Sequence, residues 1–344
     1  MEPVENTLAL VTGATGFVGG ALARRLLREG YRVRILVRNA NNPVLKELGL
    51  EASVNGRLEI VEGDIAVKES LEAAFDGVRY VFHVAAMVST EASWDVYRAA
   101  NVSGTEHMCE LALRHGVAKF VYVSTADVFG LPKAGEVVTE ATPHAAWNEK
   151  YADTKIAGTQ VVKDYQARGL VSTIIYPGWV YGPGDRALLP SVLEQLESGF
   201  LPLWSPNNPL GFIYVEDLVD AMLQALASPA ADNEDFLILD AETQAGMLDL
   251  CARIAERFGL KYRVVKLPYW LMYGLAALLE GLSKIGIGGE PLITTAVVKS
   301  FGHCFIYSTE KAAARLRWTP ATPFETGIRQ ALDWHCEHLA VGGD

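Results

Sequence analysis

A glycine-rich turn near the N-terminus constrains the fold of this chain more than any other feature. The segment Thr12–Gly19, TGATGFVG, follows the short apolar run Leu8–Thr12 and opens a helical pattern that closes at Gly30. Glycines at this spacing allow a tight turn, close approach of a pyrophosphate and close packing of the helix, whose positive end binds phosphate. The turn therefore predicts a dinucleotide site that includes Gly13, Thr15, Gly16, Phe17 and Val18.

The first half of the chain alternates strand-like and helical segments. The predicted strands are Leu8–Thr12, Tyr31–Val37, Leu58–Glu62, Tyr80–Val84, Phe120–Ser124 and Thr173–Tyr176. The predicted helices between them include Lys68–Phe75, Val102–His115 and Tyr151–Arg168. Repeated strand–helix units predict an α/β fold, a Rossmann-type doubly wound parallel sheet with helices on both faces.

The alternation ends after Pro177, where prolines and glycines cluster at 177–185 and 201–211. Further helices are predicted at about 187–198, 216–227, 246–258 and 270–285. We expect residues 1–180 to form the dinucleotide-binding domain, with later strands interleaved from about 210–240. Residues 181–344 are expected to form mainly a smaller, mostly helical cap that binds the substrate.

Composition excludes several classes of function. The net charge of −11 is unfavourable for a nucleic-acid partner, because phosphate binding needs clustered Lys and Arg. The four cysteines are scattered without a CxxC pair, which predicts reduced thiols and no metal site. The N-terminus has no signal-peptide pattern, and the apolar tract Leu267–Leu279 is shorter than the ~20 residues of a spanning helix. We therefore expect a cytoplasmic protein.

A tyrosine and a lysine form the second informative motif. Tyr151 and Lys155 are four residues apart in a predicted helix, so their side chains share one face. Because a nearby cation stabilises phenolate, Lys155 is expected to lower the pKa of Tyr151 towards the working pH. A dinucleotide site combined with such a tyrosine predicts hydride transfer at an alcohol or a ketone.

The end of the second strand bears on the choice of cofactor. An NAD site usually has Asp or Glu there, whereas this chain has Arg38, whose guanidinium suits a 2′-phosphate. The sequence therefore favours NADP(H) over NAD(H), with a solvent-facing arginine as the competing interpretation. Asp64 and Ile65 follow the third strand near the expected adenine position. Ala85 and Ala86 end the fourth strand with small side chains, as close passage of the cofactor requires.

These motifs together resemble the extended short-chain dehydrogenases/reductases of the NAD(P)-dependent epimerase/dehydratase superfamily. The resemblance extends over nearly the whole chain in the expected order. It rests on Thr12–Gly19, Asp64–Ile65, His83–Ala86, Asn101–Thr105, Val123–Gly130, Tyr151–Lys155, Pro177–Asp185 and Phe212–Leu218.

The resemblance implies a role for each matching residue. Thr125 would hydrogen-bond the substrate oxygen, and Tyr151 would donate or accept the proton. Lys155 would hold the nicotinamide ribose as well as tune Tyr151, while Pro177 and Val180 would line the nicotinamide face. The resemblance also implies that Asn101 stabilises the position of the catalytic strand. It further implies that the protein forms a homodimer.

The reaction type is narrowed by the residues after Thr125. Nucleotide-sugar dehydratases of the family have adjacent Asp and Glu there, and this chain has Ala126 and Asp127, which argues against dehydration. Asp127 is expected to be an exposed loop residue, with a substrate contact as the alternative. Two other functions stay open: a nucleotide-sugar 4-epimerase with tightly bound NAD, and a non-catalytic NADP(H)-sensing protein.

The C-terminal half favours an apolar substrate. Apolar runs at Leu188–Leu193, Phe200–Trp204 and Leu267–Leu279 are expected to cover the active site. The region Leu267–Lys311 resembles the 3β-hydroxysteroid and sterol dehydrogenase branch, with similarity to dihydroflavonol reductases. This resemblance implies a steroid-like, β-keto or flavonoid-like ketone or alcohol. It also implies a peripheral membrane contact through Leu267–Ile287 as one option.

Overall fold

A seven-stranded parallel sheet forms the centre of the protein in a computed structural model, which describes residues 7–47, 56–88, 92–133, 135–241, 243, 245–284, 287 and 293–339. In chain order the strands are β1 Leu8–Thr12, β2 Arg32–Val37, β3 Leu58–Glu62, β4 Tyr80–His83, β5 Lys119–Val123, β6 Val137–Val138, β7 Ser172–Pro177, β8 Trp179–Tyr181, β9 Phe200–Leu203, β10 Phe212–Tyr214, β11 Asp235–Ile238, β12 Arg263–Lys266 and β13 Ile306–Tyr307.

Helices cover both faces of this sheet and build the C-terminal part. They are α1 Phe17–Arg28, α2 Pro43–Glu47, α3 Trp94–Arg98, α4 Gly104–Arg114, α5 Lys150–Ala167, α6 Leu188–Glu197, α7 Val215–Ala227, α8 Met247–Phe258, α9 Tyr269–Lys284, α10 Thr295–Phe301, α11 Glu310–Leu316 and α12 Phe324–Leu339.

The strand order in the main sheet is β11-β7-β5-β4-β1-β2-β3, and every pairing in it is parallel. The order reverses beside β1, which pairs with β2 on one side and with β4 on the other. In open α/β sheets, ligands bind at such a reversal, beyond the carboxyl ends of the strands. The predicted Rossmann-type fold is confirmed, and the six predicted strands agree with the structure to about one residue at each end.

Two predicted helices differ from the structure. The segment Lys68–Phe75 is not an α-helix but two short 3₁₀ turns. The Ser70 hydroxyl donates to the Val67 carbonyl oxygen at 2.7 Å and accepts from the Asp64 N–H at 2.9 Å. These side-chain bonds compete with helical hydrogen bonding. The predicted helix Val102–His115 is only the later part of a helical segment that begins at α3 and passes through a π-helical turn.

The chain leaves the main sheet after β7 and returns to it with β11. Strand β10 pairs instead with β8 in a separate two-stranded sheet, because the Trp179 N–H donates to the Gly211 carbonyl oxygen. Gly178 permits this approach, since a Cβ atom there would lie 1.9 Å from that same oxygen. Helices α6, α8 and α12 pack around a second apolar cluster that includes Phe212 and Ile254. The sequence predictions lacked α10, α11 and α12.

Candidate active site

Thr12 at the end of β1 and His83 at the end of β4 form a buried hydrogen-bonded pair. Thr12 Oγ1 lies 2.8 Å from His83 Nδ1 and accepts the backbone N–H groups of Val84 and Ala85, each at 3.1 Å. Because both lone pairs of the hydroxyl are engaged, Thr12 donates its hydrogen to Nδ1. Burial, reinforced by the charge of Lys155, lowers the pKa of His83 to about 3, so the ring is neutral near pH 7.

Further hydrogen bonds extend from this histidine to α5. His83 Nε2 lies 3.2 Å from Thr105 Oγ1, and Thr105 donates to the Asn101 carbonyl oxygen at 2.8 Å. Asn101 lies in the π-helical turn and donates from Nδ2 to Thr154 Oγ1 at 3.0 Å. The end of β1 is thereby connected, through buried polar groups, to the helix that contains the predicted tyrosine and lysine.

The glycine-rich turn fits a pyrophosphate. Gly13 has a φ of +76°, and a Cβ there would lie 2.8 Å from the Ala85 nitrogen. A Cβ on Gly19 would lie 2.2 Å from the Gly13 carbonyl oxygen. Helix α1 begins after Gly16 with no side-chain cap and no acidic residue in its first turn. Its first N–H groups are therefore available to an anion, which the helix dipole also favours.

All the predicted site residues line one cavity of about 520 Å³ at the carboxyl ends of the strands. They are Gly13, Thr15, Gly16, Phe17, Val18, Arg38, Asp64, Ile65, Ala85, Ala86, Thr125, Tyr151, Lys155, Pro177 and Val180. The structure brings them together from seven separate segments of the chain.

The cavity also contains residues that the sequence interpretation did not assign. Tyr307 reaches it from β13, and its ring lies where a Cβ on Gly211 would contact it at 3.0 Å. Trp179 and Met87 line other parts of the wall. Tyr307 lies in the region Leu267–Lys311, which resembles the sterol dehydrogenase branch in sequence but has no motif that predicts a site residue. No local pattern indicates that β13 pairs with β6 and reaches the site.

Arg38 and Asp64 lie at the end of the cavity beyond β2 and β3. Arg38 is exposed and lines the cavity wall. The Asp64 carboxylate accepts the Ala66 N–H at 2.9 Å, which holds the side chain at the start of the turn after β3. Ile65 packs against Gly104, where a Cβ would approach its side chain to 3.0 Å. An exposed cation therefore borders the site where the sequence predicts the adenosine ribose.

The pKa of Tyr151 is raised in this structure, whereas the sequence predicts that it is lowered towards the working pH. Burial raises the pKa of Tyr151, and the carboxyl groups of Asp127 and Glu149 raise it further, while a hydrogen bond with Thr125 acts in the opposite direction. Lys155 Nζ instead donates to the Val123 carbonyl oxygen at 2.6 Å. The Tyr151 phenol is consequently protonated at neutral pH, as a proton donor must be.

The expectation that Asp127 is an exposed loop residue is also wrong. Asp127 lies in a 3₁₀ turn, Ala126–Phe129, directly after β5 and lines the cavity. Its Oδ2 accepts the Thr125 hydroxyl at 3.0 Å, and its backbone N–H donates to the same hydroxyl at 3.2 Å. Asp127 is half-buried, and its side chain lies in the wall of the site instead of in open solvent.

A second cavity of about 600 Å³ adjoins the first and is mostly apolar. The two share Phe17, Val88, Trp179 and Val180. Of the predicted apolar segments, Leu188–Leu193 and Phe200–Trp204 contribute residues to its wall, but Leu267–Leu279 does not. Helix α10 and the residue Ile293 line the cavity instead. The buried side of α9, at Met272 and Ala276, packs against Val298 outside the cavity.

Much of the apolar surface of α9 faces solvent. Trp270 is 72% exposed, and Leu275 and Leu278 are also exposed. Within the residues that the structure describes, no helix is long and apolar enough to cross a bilayer. The peripheral membrane contact and the homodimer stay predictions.

In the described ranges, no group of three or more His, Cys, Asp or Glu side chains is placed to hold a metal ion. All four cysteines are free thiols, and Cys109 and Cys251 are buried.

Comparison with known proteins identifies the family. A model of the NAD dependent epimerase/dehydratase family matches residues 9–238. The chain belongs to this family. The resemblance inferred from the sequence is thus confirmed.

Named relatives of the chain are dehydrogenases and reductases. The chain is 29% identical to 3beta-hydroxysteroid-dehydrogenase/decarboxylase isoform 2 of Arabidopsis thaliana over 97% of its own length and 62% of that protein. It therefore spans less than two thirds of that relative. It is 27% identical to the 2-alkyl-3-oxoalkanoate reductase of Stenotrophomonas maltophilia, over 93% of this chain and 97% of the reductase.

Solved structures share the fold. The crystal structure of gox2253 has a TM-score of 0.77 and 28% identity, and it aligns over 97% of this chain and 99% of that one. The UDP-glucuronic acid 4-epimerase from Bacillus cereus, in complex with UDP-glucuronic acid and NAD, has a TM-score of 0.75 over 96% of this chain and all of the epimerase chain. At 21% identity, the second likeness concerns the fold alone.

The buried lysine gives a prediction about stability. Burial lowers the pKa of Lys155 to about 7 in the folded state, so the unfolded chain binds more protons than the folded chain between about pH 7 and pH 10. We expect Lys155→Met to be more stable than the wild type at pH 7. The advantage should shrink by up to about 1.4 kcal/mol per pH unit as the pH rises to 10.

Urea unfolding of both proteins at several pH values measures this difference. Lys46→Met changes an exposed lysine and serves as the control, with no pH-dependent difference expected. A stability difference between Lys155→Met and wild type that stays constant from pH 7 to pH 10 would contradict the prediction.

Proposed function

We propose that this protein is an NAD(P)-dependent oxidoreductase that interconverts a ketone and a secondary alcohol on an apolar substrate. The supporting observation is that Thr125, Tyr151 and Lys155 line the same cavity as the glycine-rich turn, next to a second, apolar cavity. The named dehydrogenase and reductase relatives support the same reaction class.

The residues of the first cavity suit a dinucleotide. The N–H groups at the start of α1 would bind the pyrophosphate, and Gly16 leaves space for it, since a Cβ there would meet only the Gly13 oxygen at 3.2 Å. Ala85 and Ala86 would allow the cofactor to pass, and Pro177 and Val180 would line the nicotinamide face. When bound, the nicotinamide supplies or accepts a hydride.

The side chains around the reacting carbon would then handle the proton. In the reducing direction, Tyr151 donates its phenolic proton to the ketone oxygen while Thr125 orients that oxygen by a hydrogen bond. The raised pKa of Tyr151 keeps the phenol protonated before the reaction. Lys155 is held next to β5 by the Val123 carbonyl oxygen and adds positive charge near the phenolate that forms.

An apolar substrate fits the second cavity better than a nucleotide sugar. Its wall consists mainly of Leu, Val, Trp, Phe, Met and Ile side chains, with Leu201 and Trp204 from the β9 segment and Phe301 from α10. A sugar diphosphate needs several charged donors, and in its described lining Asp185 is the one charged side chain. That carboxylate already accepts three backbone N–H groups at the start of α6. Steroid-like, β-keto and flavonoid-like ketones are apolar and need no such charged donors.

We propose NADP(H) as the preferred cofactor because Arg38 is an exposed cation at the edge of the first cavity. A guanidinium can form paired hydrogen bonds with a 2′-phosphate and neutralise its charge. NAD(H) lacks this phosphate and gains nothing from the arginine.

Replacing Tyr151 with Phe tests the proposed reaction. Removal of the phenolic proton should reduce ketone turnover by about 10²-fold or more, while NADPH still binds with nearly unchanged affinity. Turnover is measured by loss of NADPH absorbance with a panel of apolar ketones, and binding by NADPH fluorescence. Tyr165→Phe, in the same helix but outside the cavity, is the matched control and should stay active.

Retained turnover in Tyr151→Phe would contradict the proposal. Conversion of a nucleotide sugar by protein that keeps NAD through purification, without added cofactor, would favour the 4-epimerase alternative. NADPH binding without turnover of any member of the panel would favour the sensing protein.

Replacing Arg38 tests the cofactor preference. Arg38→Ala should weaken NADPH binding by about tenfold to a hundredfold, since a charge-assisted bidentate contact is lost, and should leave NADH affinity nearly unchanged. Arg38→Lys should fall between these two proteins because it keeps the charge but not the paired geometry. Equal losses of NADPH and NADH affinity, or tighter binding of NADH by the wild type, would contradict NADP(H) preference.

A further inference from the structure

Thr125 has a single hydroxyl hydrogen, and in this structure a carboxyl group competes for it. Thr125 Oγ1 lies 3.0 Å from Asp127 Oδ2 and also accepts the Asp127 N–H at 3.2 Å. A hydroxyl offers one hydrogen and two lone pairs. An ionised carboxylate can only accept, so Thr125 must donate to Asp127. The one lone pair that is left is shared between Tyr151, with which Thr125 also forms a hydrogen bond, and a substrate.

Protonation of Asp127 changes this arrangement. The acid can then donate to the second lone pair of Thr125, and the threonine hydrogen becomes available to another oxygen. A ketone oxygen has no hydrogen and needs a donor, as does the negative charge that develops on it during reduction. An alcohol can donate its own hydrogen to the free lone pair of Thr125 beside an ionised Asp127.

We propose that Asp127 is a positioning residue that decides whether Thr125 donates or accepts the hydrogen bond at the reacting oxygen. This inference rests on the proposed oxidoreductase function and adds a pH-dependent element to it. Ketone reduction requires the protonated acid, and the ionised acid presents Thr125 as an acceptor that matches the alcohol.

The reaction stays balanced in this scheme. A bound nicotinamide would supply a hydride, whose electron pair would form the new C–H bond at the carbonyl carbon, so that the ketone is reduced and the cofactor oxidised. The π electrons of the carbonyl bond move to oxygen, which takes the proton of Tyr151, and solvent later replaces that proton. Asp127 keeps its own proton throughout, because it acts only through the Thr125 hydroxyl.

The groups around Asp127 allow its carboxyl group to gain or lose a proton near neutral pH. Burial raises its pKa to about 6 against the opposing hydrogen bond from Thr125, and the nearby charge of Glu149 adds to the rise. Glu149 and Tyr151 face it from the start of α5, and Tyr307 faces it from β13. On the side of α10, the indole of Trp147 donates to the Asp127 backbone oxygen, and the charged Lys299 lies 5.9 Å from that ring.

The pH profile of ketone reduction separates this role from a structural one. For the wild type, kcat/KM with the most active ketone of the panel should fall about tenfold per pH unit above an apparent pKa near 6. Asp127→Asn has no charge and never obliges Thr125 to donate, so its profile should not begin to fall near pH 6, and a fall caused by Lys155 should begin nearer pH 7. Lys155 titrates in a neighbouring range, and the difference between the two profiles therefore reports Asp127.

Two further variants complete the experiment. Asp153→Asn removes a carboxylate in α5 that accepts the Trp147 backbone N–H, outside the cavity, and should keep the wild-type profile. Asp127→Ala should lack the same fall near pH 6 as Asp127→Asn and replaces it if the Asn variant does not fold.

The outcomes are distinguishable. An Asp127 variant that keeps the wild-type fall, with or without a constant loss of rate, would overturn the inference and leave the proposed function intact. Retained turnover in Tyr151→Phe would overturn the proposed function itself.

Discussion

The buried hydrogen bonds of His83 hold the two halves of the candidate site in one geometry. The neutral imidazole connects the Thr12 hydroxyl at the end of β1 with the Thr105 hydroxyl in α4. From there Asn101 reaches Thr154 in α5. Each side chain in this series of hydrogen bonds is buried. Loss of one partner would leave a buried polar group unsatisfied and lower the free energy of unfolding by about 1–3 kcal/mol. The glycine-rich turn and the helix of Tyr151 are thereby fixed relative to each other.

The same arrangement explains why the site can combine a dinucleotide with proton transfer. The reversal of strand order beside β1 places the turn at one side of the cavity, while β5 ends at the other side with Thr125. The buried Lys155 is costly to keep charged, and Asp127 is costly to keep ionised. Such unfavourable burial is typical of functional sites. In the proposed function, the apolar second cavity would select the part of the substrate that does not react.

The sequence predicted the features that depend on local spacing. The glycines of the turn, the four-residue separation of Tyr151 and Lys155, and the strands of the main sheet are local patterns, and the structure places them as expected. The features that the sequence did not predict, or predicted wrongly, depend on contacts between residues that are distant in sequence. Tertiary packing determines four such features: the burial of Asp127, the carbonyl partner of Lys155, the position of Tyr307 in the cavity, and the presence of α10 in the cavity wall in place of Leu267–Leu279. No periodicity within a single segment encodes them.

The central claim is that a hydride moves between a nicotinamide cofactor and an apolar substrate that is then released. Transfer of deuterium from NADPH dideuterated at C4 to an apolar ketone tests this claim most directly, with the product analysed by mass spectrometry. The account predicts one deuterium on the carbinol carbon of the released alcohol and one equivalent of oxidised cofactor per alcohol formed. A product without deuterium, or a stereochemical change without net oxidation of the cofactor, would contradict it.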